Sequence, residues 1–255
     1  MAITTFSNQE DLKECLRKGP LMIFQKNQLA EPRFQQNLRK TNLFYLQDVS
    51  VTYGQVEALK NVQLSIESGE IIFITGASGA GKTTLLKILS GEQVVTCGSV
   101  KRPSPKVAFT SHVFQDLRLL SRKTCLENLM TAYDPNIYES KKNFMQDLDE
   151  LCKILGVDDR LHLNVMDANG GLKQKVAIIR ALLTKPDVFI ADEPTSSLDV
   201  ANARRFFDIL NLYNVKRGLT VVWASHNKEL VQNFTGRIVH LENGKLIYAG
   251  HACFI

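Results

Sequence analysis

The sequence predicts an α/β fold, a core of apolar strands and helices interrupted by a helical insertion between Asp116 and Leu183. Three observations carry that expectation. An apolar β-type run, Ile71 to Thr75, leads through the glycine-rich stretch Gly76-Ala77-Ser78-Gly79-Ala80-Gly81-Lys82-Thr83 into a helical pattern at Thr84, Leu85, Leu86, Ile88 and Leu89. A second continuous apolar run, Val188-Phe189-Ile190-Ala191, has the composition of a buried parallel strand. Between the two, Asp147, Leu148, Leu151, Ile154 and Leu155 recur at helical spacing.

Taken in order, residues 1 to about 43 differ from the rest. Asn8 to Lys18 places Leu12, Cys15 and Leu16 on one helical face, and Gly19-Pro20 ends it. Gln25 to Lys40 is rich in Gln, Asn, Lys and Arg, with Leu29, Phe34 and Leu38 as its sizeable apolar anchors. It reads as a loosely ordered arm or as a docking segment, because so few apolar residues bury little surface. The folded domain is expected from 44 to 255. Phe44, Leu46, Val49 and Val51 make a strand closed by Tyr53-Gly54, and Val62, Leu64 and Ile66 make another before the turn Glu67-Ser68-Gly69. Gly91 and Gly98 punctuate a connection, and Val107 to Phe114 is expected as a strand. Residues 116 to 183 read as mostly helical, broken at Asp134-Pro135 and Gly156. A helix from Val200 to Lys216, a strand from Leu219 to Ala224 and a short helix from Glu229 to Phe234 follow. Ile238 to Leu241 and Leu246 to Ala249 flank Glu242-Asn243-Gly244-Lys245, a hairpin signal.

The glycine-rich stretch stands between a strand and a helix, the context of a phosphate-binding P-loop. Glycines let successive backbone N–H groups turn inward where side chains would collide. The following helix adds its N-terminal dipole. Lys82 supplies a point charge for β/γ-phosphates, and the Thr83 hydroxyl is placed to ligate Mg²⁺. A nucleoside triphosphate is therefore expected, its cradle running from Gly76 to Thr84. Cleavage needs a carboxylate strand, and Asp192-Glu193 directly follows the apolar run. Asp192 is expected to hold Mg²⁺ through its water shell and Glu193 to act as general base. Neighbouring strand residues point to opposite faces, so the two can differ in role only if the strand ends there. Pro194 supports such an end.

Bulk composition excludes several classes. The 255 residues are 44% hydrophobic and 22% charged, ordinary for a globular protein. No apolar run approaches the roughly 18 residues of a membrane span. The N-terminal residues lack the basic-then-apolar plan of a signal peptide. Five scattered cysteines (Cys15, Cys97, Cys125, Cys152, Cys253) form neither a disulfide frame nor a zinc site. A formal charge of +5 suits an anionic membrane surface, nucleic acid or plain solubility, the last being favoured. A nucleic-acid partner is not expected of a chain with neither a second P-loop domain nor a long coiled coil.

The P-loop, the distant Gly170-Gly171, the apolar-Asp192-Glu193-Pro194 strand, Ser197-Leu198-Asp199 and Ser225-His226 occur in the order of an ABC-type ATPase domain. The chain resembles that family over about residues 44 to 249. The resemblance implies a P-loop NTPase with a RecA-like mixed core, an antiparallel β subdomain and an inserted α-helical subdomain at about 116–183. It implies ATP and Mg²⁺ as cofactors and ATP hydrolysis as the activity. Tyr53 resembles the aromatic residue that stacks on adenine. Gln115 resembles the Q-loop glutamine that touches Mg²⁺ or the attacking water. Asn169, Gly170 and Gly171 stand where the signature segment binds the γ-phosphate held by the opposite subunit. Asp199 matches the D-loop aspartate and His226 the switch histidine. Where the family reads Leu-Ser-Gly-Gly-Gln or Glu, this chain has Ala168-Asn169-Gly170-Gly171-Leu172. Both glycines remain, so ATP sandwiching is expected to persist while hydrolysis is slowed.

Val113 to Leu120, followed by Arg122, Thr124, Glu127 and Asn128, is similar to the bacterial cell-division ATPases of the FtsE type. That similarity implies a homodimer in the ATP state, peripheral at the cytoplasmic face of the plasma membrane and bound to an FtsX-like membrane protein. The partner surface is expected near Leu117 to Leu129. An ATPase of a lipoprotein-release or macrolide exporter, and a nucleotide-binding tether with weak hydrolysis, are the alternatives.

Overall fold

The computed structural model describes residues 41–227, 231 and 234–251. The expected helix at Asn8 to Lys18, the arm as a whole and most of the helix expected at Glu229 to Phe234 lie outside the described residues. Two sheets carry the fold. The first is antiparallel, in the order β2-β1-β4, built from β1 (Asn42–Tyr53), β2 (Val56–Glu67) and β4 (Cys97–Lys101). The second has the order β5-β6-β7-β3-β8-β9. Its strands are β3 (Ile71–Thr75), β5 (Thr110–Val113), β6 (Val188–Asp192), β7 (Thr220–Ser225), β8 (Arg237–Glu242) and β9 (Lys245–His251). All its neighbours pair in parallel except the β8–β9 hairpin.

Period-2 alternation divides the buried strands between two layers. Ile72 and Ile74 of β3, Val222 and Ala224 of β7, and Val188 and Ile190 of β6 share a cluster with α1 (Lys82–Ser90) and the inner face of the antiparallel sheet. There Leu85, Leu86, Ile88 and Leu89 of α1 meet Phe44, Leu46, Val62, Leu64 and Ile66, so α1 lies between the sheets. Burying each of these α1 side chains is worth about 2 kcal/mol. Phe73 and Trp223 point the other way. They form an aromatic cluster with Phe206, Phe207 and Phe234, covered by α5 (Val200–Arg217).

The segment between β5 and β6 holds α2 (Cys125–Met130), α3 (Lys141–Leu155) and α4 (Gly170–Leu183). Thr124 and Glu127 form a reciprocal capping box at α2, Ser140 caps α3, and left-handed Gly156 ends it. Less of this segment is helical than its pattern predicts. Leu117 and Arg118 have φ of +58° and +43°, which no helix accommodates. The strand expected over Val107 to Phe114 is only Thr110–Val113, because the Val107 and Ala108 N–H groups turn back to the Ser104 carbonyl at 2.8 and 3.0 Å. β4 was not expected at all. It is an edge strand whose Val100 alone packs partly into the core, so no alternation marks it.

Candidate active site

Parallel pairing aligns the carboxyl ends of the strands. Thr75 of β3 registers with Ser225 of β7, and Ala224 lies between Ile74 and Asp192 of β6. Ligands of open α/β sheets bind beyond such ends. From β3 the chain enters the glycine-rich loop, where Gly81 (φ +103°) begins α1 and no side chain caps it. The first amides of α1 therefore remain available for an anion. A Cβ at Gly81 would stand 2.6 Å from the Ala58 carbonyl oxygen, and one at Gly76 would stand 2.4 Å from that of Leu241. The loop is pressed against β2 and β8 so closely that only glycine fits.

Lys82, 7% exposed, donates from Nζ to the Gly76 and Ala77 carbonyls at 2.9 and 3.0 Å. Its Nζ lies 3.9 Å from Glu193 Oε1. The side chain thus arches back over the loop, with its charge at the loop mouth. Thr83 Oγ1 donates to Asp192 Oδ2 at 2.7 Å. Burial pushes the Asp192 carboxyl above its ordinary pKa and Glu193 adds to this, while the Thr83 hydrogen bond and Lys82 oppose it. A buried carboxylate beside a hydroxyl is an oxygen-only donor pair, and a divalent cation there relieves the burial penalty. These residues fit Mg²⁺.

β6 ends at Asp192, and Glu193 takes φ +51°. That reversal separates the two carboxylates as their different roles require. The Glu193 N–H donates to the Ala224 carbonyl at 3.0 Å, and its Oε2 is in short contact with His226 Nδ1. His226 follows β7 directly and is mostly exposed.

Tyr53, Ser78, Gly79, Gly81, Lys82, Thr83, Thr84, Gln115, Asp192 and Glu193 converge on one cavity of about 250 Å³, with Ala58 in its wall. Tyr53 is 46% exposed, and its hydroxyl donates to Gln93 Oε1 at 2.8 Å. Gln115, Thr83 and Asp192 also border a second recess, of about 360 Å³, beside His112 and Arg118. Asn169, Gly170, Gly171 and Asp199 are not among the residues lining the phosphate cavity. Asn169 caps α4, accepting the Leu172 N–H at 2.8 Å. Asp199 caps α5, and hydrogen bonds from Asn202 hold its carboxyl below the ordinary carboxylate range. Leu172, the departure in this segment, is 4% exposed and serves as a core residue.

The sequence gives no sign of a role for Ala58 or His112, whereas Gln174 and Arg180 belong to the stretch that resembles the signature segment and its helix. Both lie in α4, after the signature glycines, and only the structure shows what their side chains hold.

Residues 59–196 match the family described as ABC transporter. The chain belongs to that family. The methionine import ATP-binding protein MetN of Clostridioides difficile is 33% identical over 217 residues, which cover 80% of this chain and 67% of that protein. MetN of Bacillus subtilis is 34% identical, with 80% and 64% covered, so the chain spans about two thirds of either. The cell division ATP-binding protein FtsE of Streptococcus pneumoniae is 32% identical over 219 residues, covering 81% of this chain and 94% of that protein. A dimeric bacterial ABC transporter cassette superimposes with a TM-score of 0.72 and 28% identity, over 83% of this chain and all of the other. A post-hydrolysis state of an ATP-binding cassette with ADP and Pi matches with the same TM-score. The chain is an ABC ATPase that binds ATP with Mg²⁺ and hydrolyses it, the ATP-binding subunit of an ABC system. Cassettes of this family dimerise and pair with integral membrane components. Among the described residues, no helix is long and apolar enough to cross a membrane.

Proposed function

We propose that two copies of this chain close around two ATP and couple hydrolysis to an FtsX-like membrane protein that regulates cell-wall hydrolysis during division. The observation that carries this reading is the convergence of Lys82, Thr83, Gln115, Asp192 and Glu193 on one cavity, Gln115 itself standing within the FtsE-like stretch from Val113 to Asn128. The ATPase domain occupies 44–255, with its helical subdomain at 116–183, and the arm expected before it lies almost wholly outside the described residues. The protein sits peripherally at the cytoplasmic face of the plasma membrane. Leu120 and Met166 are 50% and 63% exposed, the Met166 N–H donates to the carbonyl of Ser121, next to Leu120, at 2.9 Å, and the two supply an apolar docking surface near the Gln115 segment.

In this reading the amides of Gly76 to Thr84 and the Lys82 ammonium hold the triphosphate, and Tyr53 stacks on adenine. Mg²⁺, held by Thr83 and Asp192, would neutralise phosphate charge as it develops. Glu193 takes a proton from the attacking water while the water oxygen bonds to the γ-phosphorus. The bond from that phosphorus to the bridging oxygen breaks, leaving ADP and phosphate. Gln115 orients the water, and His226 holds Glu193 and contacts the γ-phosphate. Asn169, Gly170 and Gly171 of one copy complete the site of the other, with Asp199 at their interface.

A second reading, the ATP-binding subunit of an importer, is favoured by the MetN relatives at 33% and 34% identity. One experiment separates the two. A Glu193→Gln form should still bind ATP but lose about 100-fold or more in turnover, the range for a removed general base. Captured from native membranes with ATP and Mg²⁺, it should bring down a four-span FtsX-like protein. Recovery of an import permease would favour the second reading, and recovery of no membrane protein would reject the division role.

A further inference from the structure

Helix α4 contributes no side chain to the lining of the phosphate cavity, yet it grips the backbone of both segments expected to act on the attacking water. Gln174 is 3% exposed and uses both halves of its amide. Its Nε2 donates to the Glu193 carbonyl at 2.8 Å and lies 3.4 Å from Ser196 Oγ, while its Oε1 accepts the Ser197 N–H at 2.9 Å. The Glu193 carbonyl also accepts the Ser196 N–H at 3.1 Å. Glu193 is in the left-handed region, which a residue with a Cβ keeps only when its surroundings hold it. Gln174 is the side chain that holds it from the α4 side.

The close approach this requires is written into the start of the helix. A Cβ at Gly171 would lie 3.0 Å from the Ser197 carbonyl oxygen, and one at Gly170 would lie 3.3 Å from Ser197 Oγ. Further along α4, Arg180 donates from Nη1 to the Arg118 carbonyl at 2.8 Å and from Nη2 to the Leu117 carbonyl at 2.9 Å. Those are the two left-handed residues just beyond Gln115. One rigid helix thus ties down the backbone of Glu193 by one side chain and that of the Gln115 segment by another.

We infer that α4 is a shared mount for the catalytic segments, with Gln174 the positioning residue for Glu193 and Arg180 that for the Gln115 segment. The inference rests on the proposed role of Glu193 as general base. Displacing α4 shifts both segments together while the cradle of Gly76 to Thr84 stays in place. Hydrolysis can then be switched without release of the nucleotide.

The test uses the full chain. Gln174→Met keeps the side-chain length and loses both hydrogen bonds, while Gln174→Glu keeps the acceptor for Ser197 and loses the donor to Glu193. Each should lower kcat by about 10-fold or more, as small misplacements of reacting groups do, with KM for MgATP and Tm nearly unchanged. Arg180→Lys cannot span both carbonyls and should likewise act on kcat alone. In a Glu193→Gln background, Gln174→Met should slow single-turnover hydrolysis no further, because it acts through a group already removed. An equal further loss in that background, or a parallel fall of Tm and ATP affinity, would reduce Gln174 to a structural residue and overturn the inference. Full turnover in Gln174→Met beside an inactive Glu193→Gln would also overturn it, leaving the general-base assignment standing. Full turnover in Glu193→Gln itself would remove that assignment and the inference together.

Discussion

His112 of β5 lies against Phe114, with ring centroids 3.9 Å apart, and neither of its buried ring nitrogens has a hydrogen-bond partner. Its Nδ1 is 3.5 Å from Glu92 Oε1. Burial lowers its pKa below the ordinary 6.5 and Arg118 adds to the lowering, while Glu92 and Asp192 oppose it. A depressed histidine pKa means that, below 6.5, the unfolded chain binds more protons than the fold does. The stability associated with neutral His112 is therefore complete above that pH and is lost as pH falls toward the folded value. The Tm of nucleotide-free protein should fall between about pH 7.5 and about pH 5.5, and His112→Leu should flatten that slope. An identical slope in the variant would show that other groups set it. Leucine removes the unpartnered Nε2 but also the Nδ1 contact with Glu92, so the variant should change stability little at neutral pH.

At the scale of elements, the start of α4 separates capping from packing. Asn169 accepts the Leu172 N–H, and serine is as good an N-cap, so Asn169→Ser should change stability by no more than about 0.5 kcal/mol. Leu172 is buried, so Leu172→Gln places an amide in the core and should cost about 1–3 kcal/mol unless it finds a partner. If the altered segment slows hydrolysis, Asn169→Ser should raise turnover at constant Tm, whereas Leu172→Gln should show its effect first in a melting curve. Unchanged turnover in both would separate the rate from this segment. Legibility also differed by element. α3 and α5 were readable because each puts an apolar stripe on the core and ends at a left-handed glycine, Gly156 or Gly218. β4 was unreadable because its exposed edge position leaves no alternation. At 116–124 the helical pattern does not become a helix, because a pair of left-handed residues, Leu117 and Arg118, is invisible to periodicity.

Across the whole molecule, the cavity at the ends of β3 and β6 holds the phosphate-binding and carboxylate residues, and the signature glycines stand outside it. The site proposed to be completed by a second copy accommodates that separation, and the chain's similarity to a dimeric cassette is consistent with it. Glu193→Gln with ATP and Mg²⁺ should elute as a dimer and revert to monomer when nucleotide is removed, since ATP bound between two copies shifts the equilibrium by mass action. A monomer at saturating ATP and high protein concentration would contradict the shared site. A dimer of equal strength without nucleotide would do so as well.

The order of motifs along the chain was determined by sequence alone: a strand, glycine loop and helix, then Gly170-Gly171, then an apolar strand closed by Asp192 and Glu193. Each is local, fixed by backbone freedom, helix or strand period, or the termination of a strand, and each is legible within about a dozen residues. The tertiary structure decided what those motifs touch. Thr83 meets Asp192 across 109 positions, and Gln174 reaches Glu193 across 19. Such contacts depend on the strand order that places β7 between β6 and β3, and on the left-handed turn that swings Glu193 away from Asp192. Local propensity records what a segment can become. Only the packing of distant segments, stabilised by the apolar faces they bury together, selects which polar groups finally stand within hydrogen-bond reach.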